Sequence, residues 1–459
     1  MTTLEIYLKP DEKGKGFDQL IWSLVFALAM LFFLANPFTT TAQIAPENSY
    51  KLTLTEAIQF AKKQNKWVKA VGIEEMAVAE DRKDVQNAAL PSITVGSSYQ
   101  RFSDVTLFSD GLSHAATSPR KPTATVGALG VDALFTIYGG GKHRALQAEQ
   151  NLRLNLAKLN SQDLSGNISL QTASQYLDLV RFNEQQKFIL DQVKRAQTRL
   201  NNINSLYKNQ KVTKSDVLRA EVALSNAELS LMQNENDIAI SNQKLDVLIN
   251  VPDSVMIFPA DSAGMAKPEI GSLMPYIETA GISSFSIQKA AKNVEIQRAR
   301  LRGIQSNNLP SLSFYSNYGF NYPYAAINQT YAVGFVGLKL QYSISSLYQN
   351  NNKVAAGKLR VNELEVQQDA HRDDVQAEIT SFYIKYGEAL KRITVNERSV
   401  EQASVNYKIV NTKYLNQLSL LTDLLDADNL YQESRFHLVQ AQTDALVIYY
   451  RILYTSGNL

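Results

Sequence analysis

The chain of 459 residues contains no cysteine, two tryptophans, four histidines, 12 prolines and 21 glycines. Without cysteine there are no disulfide staples, no thiolate metal sites, no cysteine nucleophile and no lipid-modified N-terminal cysteine. The histidines (His114, His143, His371 and His437) are widely separated, and no two stand at metal-ligand spacing. Neither sign of charge dominates, since 46 Lys+Arg against 44 Asp+Glu leave a formal +2. Nucleic-acid binding needs a concentrated basic face and is not indicated. No nucleophile–base set is visible, so the expectation is a protein that is not an enzyme, with no catalytic residue, cofactor or metal. Few prolines and glycines mean few interruptions. Long elements are expected, and a composition of 45% hydrophobic and 20% charged residues excludes general disorder.

Long apolar runs are also scarce. One extends from Leu20 to Leu34, behind Lys9, Lys13 and Lys15 and ahead of the small, polar stretch from Thr39 to Gln43. That order predicts a secretory signal peptide over residues 1–43 and an exported mature chain. The other reading, a retained anchor, suffers from a run shorter than the roughly twenty residues a spanning helix needs. No later segment is apolar for long enough, so any re-entry into a membrane must use β-strands.

What the sequence does have is internal duplication. Leu90-Pro91-Ser92 followed by Tyr99 returns as Leu309-Pro310-Ser311 followed by Tyr318, and Val126-Gly127 returns as Val336-Gly337. Tyr207, Asp216 and Ala220 return in the same order as Tyr414, Asp423 and Ala427. Two structural repeats are expected, 44–250 and 272–459, joined by a linker over 251–271. Each reads helix, strand, strand, long helix, helix. Thr55 is a candidate cap for a first helix reaching about Ala89, which Pro91 stops.

Beyond Pro91 the period becomes two. Ile93, Val95 and Tyr99 alternate with polar residues, as do Leu312, Phe314, Tyr318 and Phe320 in the second repeat. These runs reach the ~9–11 residues of a tilted membrane strand, although an ordinary soluble hairpin reads the same way. The polar stretches 103–123 and 321–329 suit loops between paired strands.

Lys142 to Lys208 holds no proline and a single glycine, Gly166, so it can run as one helix of about 100 Å; Val354 to Tyr414 gives about 90 Å. Ile189, Val193, Ala196, Leu200 and Ile203 step by four and three, as do Val217, Ala220, Leu224 and Ala227. That spacing predicts helices packed side by side in a supercoil, folded back at short turns near 209–215 and 416–422. Gly139, Gly140 and Gly141 before Lys142 lack the rest of a phosphate cradle and are read as a bend from strand into helix.

Four strands cannot close a barrel, and open edges in lipid leave backbone groups unsatisfied. Closure requires several chains, and three would supply twelve strands. On these features the sequence resembles the TolC-type outer-membrane efflux family. They are Leu52 to Ile58 with Ala61 and Asn65, the two Leu-Pro strand entries, Tyr138 before the three glycines, and the paired turns Asp216…Ala220 and Asp423…Ala427. The resemblance implies a homotrimeric channel, with four strands per chain in a 12-stranded outer-membrane β-barrel continued by a periplasmic α-helical barrel. It implies the exit duct of a tripartite efflux or type I secretion system, in which a periplasmic adaptor and an inner-membrane RND or ABC-type transporter are the partners, besides outer-membrane lipid. Nucleic acid is not expected. A secreted coiled-coil fibre or adhesin is the alternative.

Carried over residue by residue, the family's periplasmic aperture falls on Asp216, Tyr414, Asp423 and Asp426. Adaptor contact falls on the hairpin tips, Asn209, Gln210, Asn416 and Gln417. The acids also suit helix starts, where carboxylates meet the positive dipole end. Ser419 stands where the family has arginine, and Gln210 and Gln417 where it has the tip glycine.

Overall fold

A computed structural model describes residues 49–101, 125–253, 255–264, 267–322 and 329–459. The expected signal peptide, the loop 103–123 with His114, and most of the loop 321–329 lie outside the described residues. The described elements begin with β1 (Ser49–Leu52), α1 (Leu54–Gln64), α2 (Lys66–Asn87), β2 (Ser92–Arg101) and β3 (Thr125–Gly139). The first long hairpin is α3 (Lys142–Lys208) with α4 (Lys214–Ile249), followed by β4 (Met256–Pro259) and α5 (Met274–Ser283). Then come α6 (Phe285–Gln305), β5 (Ser311–Asn321), β6 (Tyr331–Gln341), the single turn α7 (Ser346–Gln349), and the second hairpin, α8 (Asn351–Leu415) with α9 (Leu421–Thr455).

The start of the first helix differs from expectation. Thr53, not Thr55, is the cap: its hydroxyl accepts from Glu56 N while Glu56 Oε2 accepts from Thr53 N at 2.8 Å. Nor does one helix reach Ala89. Asn65 leaves the helical path at φ −56°, ψ 133°, and its Oδ1 accepts from Trp67 N, capping a second helix. A residue that satisfies free N–H groups of the next helix allows this break at little cost.

The linker is more structured than sequence periodicity suggests. β4 lies parallel to β1, pairing Ser49 with Met256 and Leu52 with Pro259. Tyr176, fully buried on α3, places its hydroxyl 2.8 Å from the Leu52 carbonyl and 2.9 Å from Asp261 Oδ2. Around it pack Leu54, Ala57, Leu177, Val180, Leu245 and Ile257. This core sits near the middle of the long helix and fastens the chain's start, linker and first hairpin together. Asn242 completes the tie, since its Nδ2 donates to Val255 O and its Oδ1 accepts from Ile257 N, both at 2.8 Å.

The four strands form one antiparallel sheet in the order β2-β3-β5-β6. Its register sorts side chains by face. Val95 pairs with Val131 and Val131 with Tyr318, while Leu129 pairs with Phe320 and Phe314 with Leu338. On the opposite face Thr94 pairs with Asp132 and Asp132 with Asn317, whose Nδ2 donates to Asp132 Oδ1 at 2.7 Å. The apolar face is bare: Val95 is 72% exposed, Val336 72% and Leu340 72%. Both edge strands, β2 and β6, have one unpaired side.

Gly140 and Gly141 turn the chain from strand into helix at φ 63° and 83°. A Cβ at Gly140 would lie 2.6 Å from Ser306 O, so only glycine fits that bend.

Candidate channel end and hairpin seam

At residues 67 and 65 long, α3 and α8 far exceed an average helix of about eleven or twelve residues. Each folds back through the same turn. In the first, Lys211 N donates to Leu206 O and Gln210 N to Tyr207 O; in the second, Leu418 N donates to Lys413 O and Gln417 N to Tyr414 O. This is the Schellman geometry, which needs a left-handed residue just past the helix. Gln210 at φ 56° and Gln417 at φ 61° supply it, in the places a glycine would suit. Asn209 and Asn416 precede them, and each side-chain amide donates back to a helical carbonyl, Ser205 O and Thr412 O, at 2.9 Å.

Asp216 begins α4. Its Oδ2 accepts from the Thr213 hydroxyl at 2.7 Å and the Thr213 N–H at 2.9 Å. Those hydrogen bonds hold its carboxyl below the usual carboxylate range. Asp423 does the same for α9, accepting from Ser419 Oγ at 2.9 Å and Leu420 N at 3.1 Å. Ser419, just ahead of the helix, thus helps hold the Asp423 carboxylate in place.

Tyr414 is half-buried against Ile203, Val217, Ala220 and Leu421. Burial raises its phenol pKa, and the Asp216 charge adds to the rise. The structure therefore brings Tyr414 and Asp216 into one cluster. Asp423 and Asp426 are exposed, and Asp426 borders a cleft of about 560 Å³ that Arg199, Arg219 and Leu425 also line.

Sequence reading missed the contact between the two hairpins. Asp428, 2% exposed on α9, accepts from Arg195 Nη2 at 2.8 Å and from Arg199 Nη2 at 2.7 Å, both on α3. Arg195 also pairs with Asp191, and its guanidinium lies 5.5 Å from the ring centre of Tyr407, which stacks on Tyr431. Two arginines one helical turn apart, flanking a seam alanine (Ala196), were the available signal.

Among the described residues no helix is long and apolar enough to cross a membrane, and no group of His, Cys, Asp and Glu could hold a metal ion. A four-stranded sheet carried on hairpins this long is also found in solved outer-membrane channels. The outer-membrane channel OprN superposes with a TM-score of 0.75 at 16% identity, covering 88% of this chain and 90% of that one. The outer membrane protein VceC from Vibrio cholerae gives 0.72 at 16%, covering 88% and 96%. The CmeC outer membrane channel of Campylobacter jejuni gives 0.73 at 15%, covering 88% and 85%. No curated protein sequence matches the chain. Residues 57–251 match the sequence model of the family Outer membrane efflux protein. Over residues 57–251 the chain is therefore similar in sequence to that family, and the superpositions show that it shares the fold of outer-membrane channels.

Proposed function

We propose that the chain is one protomer of a homotrimeric outer-membrane exit duct, built from two repeats (44–250 and 272–459) around the linker 251–271. The observation that carries this is the sheet. It is apolar on one face and mixed on the other, where Thr94, Asp132 and Asn317 stand beside Leu134, Tyr315 and Phe335; it is exposed on both faces and unpaired along β2 and β6. A sheet with free edges is not viable in lipid. Three copies joined edge to edge give twelve strands, with the Val95–Val131–Tyr318 face toward lipid and the Asp132–Asn317 face toward water. The helices would continue the bore into the periplasm. The apolar residues exposed on α4 (Leu218, Val222, Met232) and α8 (Leu359, Val366, Val405) are suited to packing between protomers.

At the far end, Asp423 and Asp426 from three chains form the narrow, cation-attracting aperture, with Asp216 and Tyr414 holding the hairpins at its rim. The tips Asn209, Gln210, Asn416 and Gln417 face a periplasmic adaptor, through which an inner-membrane RND or ABC-type transporter drives export. Residues 1–43 are the export signal.

Protein purified in detergent should have the mass of three chains and conduct in planar bilayers. Changing both Asp423 and Asp426 to Ala should raise single-channel conductance or weaken block by multivalent cations. A monomer stable in water without detergent would sink the duct reading. A conducting trimer whose double variant is unchanged in both respects would remove only the aperture assignment.

A further inference from the structure

We propose that the strand-to-helix junctions form a basic collar that binds the anionic phosphate headgroups of the leaflet beneath the barrel. This rests on the sheet being the membrane-spanning part. Three segments meet at that level: 140–150, 296–310 and 342–360. Their sole acid is Glu149, which is buried and already bound by Arg153 Nη2 and Arg300 Nε, each at 2.7 Å. Against it stand Lys142, Arg144, Arg302, Lys353, Lys358 and Arg360, all exposed and none ion-paired among the described residues. The fourth junction, the end of α2, is mixed, with Glu80, Asp81 and Asp84 beside Arg82 and Lys83.

Helix stability accounts for Arg302, in the last turn of α6, but not for the bases at the helix starts. Lys142 and Arg144 occupy the first turn of α3, and Lys353 the first turn of α8, where the dipole repels positive charge. Neither first turn holds an acid. At the opposite end of the hairpins the helices follow the dipole, with Asp216 in the first turn of α4 and Asp423 in that of α9. Bases placed against the dipole in both repeats at the same level point to an external anion.

Bare apolar side chains fix the depth. Just above the collar, Ile344 is 70% exposed and Tyr348 68%, with Leu347, Tyr342 and Leu309 also exposed. Tyrosine and aliphatic residues in such a ring mark the boundary between hydrocarbon and headgroups. Lys353 follows Tyr348 by five residues, roughly 8 Å along a helical path. That is headgroup depth. Long Lys and Arg side chains reach phosphates while their stems stay along the protein, and each contributes about a fivefold preference for an anionic surface.

The test uses the full-length protein in detergent, with phosphatidylglycerol or phosphatidylcholine of the same chains added. Retained lipid is read by native mass spectrometry, and melting of the assembly is followed in parallel. The wild type should retain phosphatidylglycerol at least fivefold over phosphatidylcholine. A variant combining K142Q, R144Q, K353Q and K358Q should fall within twofold while staying folded, because it relieves dipole repulsion. K211Q with K214Q, an equal charge loss per residue at the tip, should keep the preference. No preference in the wild type, or its survival in the collar variant, would overturn the proposal. So would an equal melting shift with inorganic phosphate, which would indicate a free-anion site. Dissociation of the collar variant in lipid-free detergent would assign the bases to pairing between protomers instead. Failure of the barrel reading shows separately, as a chain that needs no detergent before any lipid is added.

Discussion

The two hairpins share a backbone turn and differ in what is laid along it. Set Tyr207 on Tyr414 and Asp216 on Asp423, and Asp428 falls on Glu221, while Arg195 and Arg199 fall on Gln402 and Asn406. Within the chain, α9 meets α3 through the buried Asp428 and its two arginines. The corresponding positions on α4 and α8, Glu221, Gln402 and Asn406, are exposed and hold no ion pair with one another. One helical frame thus carries a seam fixed by buried charge and a matching surface without one. If protomers join through α4 and α8, the junction between chains lacks the arginine–aspartate clasp found inside each chain, and movement should begin there.

Removing the clasp should have the largest effect. Asp428→Asn leaves two guanidinium groups in a buried seam with their charge uncompensated, and should cost about 3–5 kcal/mol. Glu221→Gln touches an exposed carboxylate and should stay within about 0.5 kcal/mol. Denaturant melts of the two variants beside wild type measure both. Equal losses would break the distinction between the seams.

A second asymmetry lies at the other end of α4. Asp246 is fully buried, accepts from Asn242 Nδ2 at 2.8 Å, and has no partner for Oδ1. Burial, reinforced by the nearby Asp253, pushes its pKa up to about 7. The corresponding stretch of α9 carries Ile452 and Leu453 instead. Because the folded carboxyl binds its proton more tightly than the unfolded one, its contribution to stability is complete below about pH 4. It is lost as pH rises through about 7. Asp246→Asn should flatten that dependence and gain about 3 kcal/mol over wild type above pH 8. Melting curves at pH 5 and pH 8.5 would show it; parallel changes in both proteins would assign the pH response elsewhere.

Much of this was legible because it rests on periodicity and punctuation. The long helix from Lys142 to Lys208 is a consequence of missing proline, and β2 and β5 follow the two Leu-Pro stops. Tyr207 and Tyr414 locate equivalent turns. What escaped depends on distant pairing. β1 is four residues long and exists only because β4 lies beside it, some two hundred residues later. Asn65 looked like one more helical residue, but its side chain serves the next helix better than its backbone continues the first. Asp428 stood outside the apolar seam, and nothing local shows that Arg195 and Arg199 face it. The sheet's apolar face, by contrast, was written in the alternation itself, because register places Val95, Val131 and Tyr318 in one row.

The smallest effect concerns the feature the hairpins share. Gln210 and Gln417 both adopt left-handed backbone, where a Cβ crowds the following carbonyl. Glycine removes that crowding but loses more freedom on folding, so each Gln→Gly exchange should stabilise by about 0.5–1 kcal/mol. The two gains should be equal and additive, because the tips share the same pair of backbone hydrogen bonds and lie on separate hairpins. Single and double variants in denaturant melts test this. A gain at one tip only would mean that the other glutamine makes a contact in the assembly that offsets its strain, and that the tips are alike in backbone but not in role.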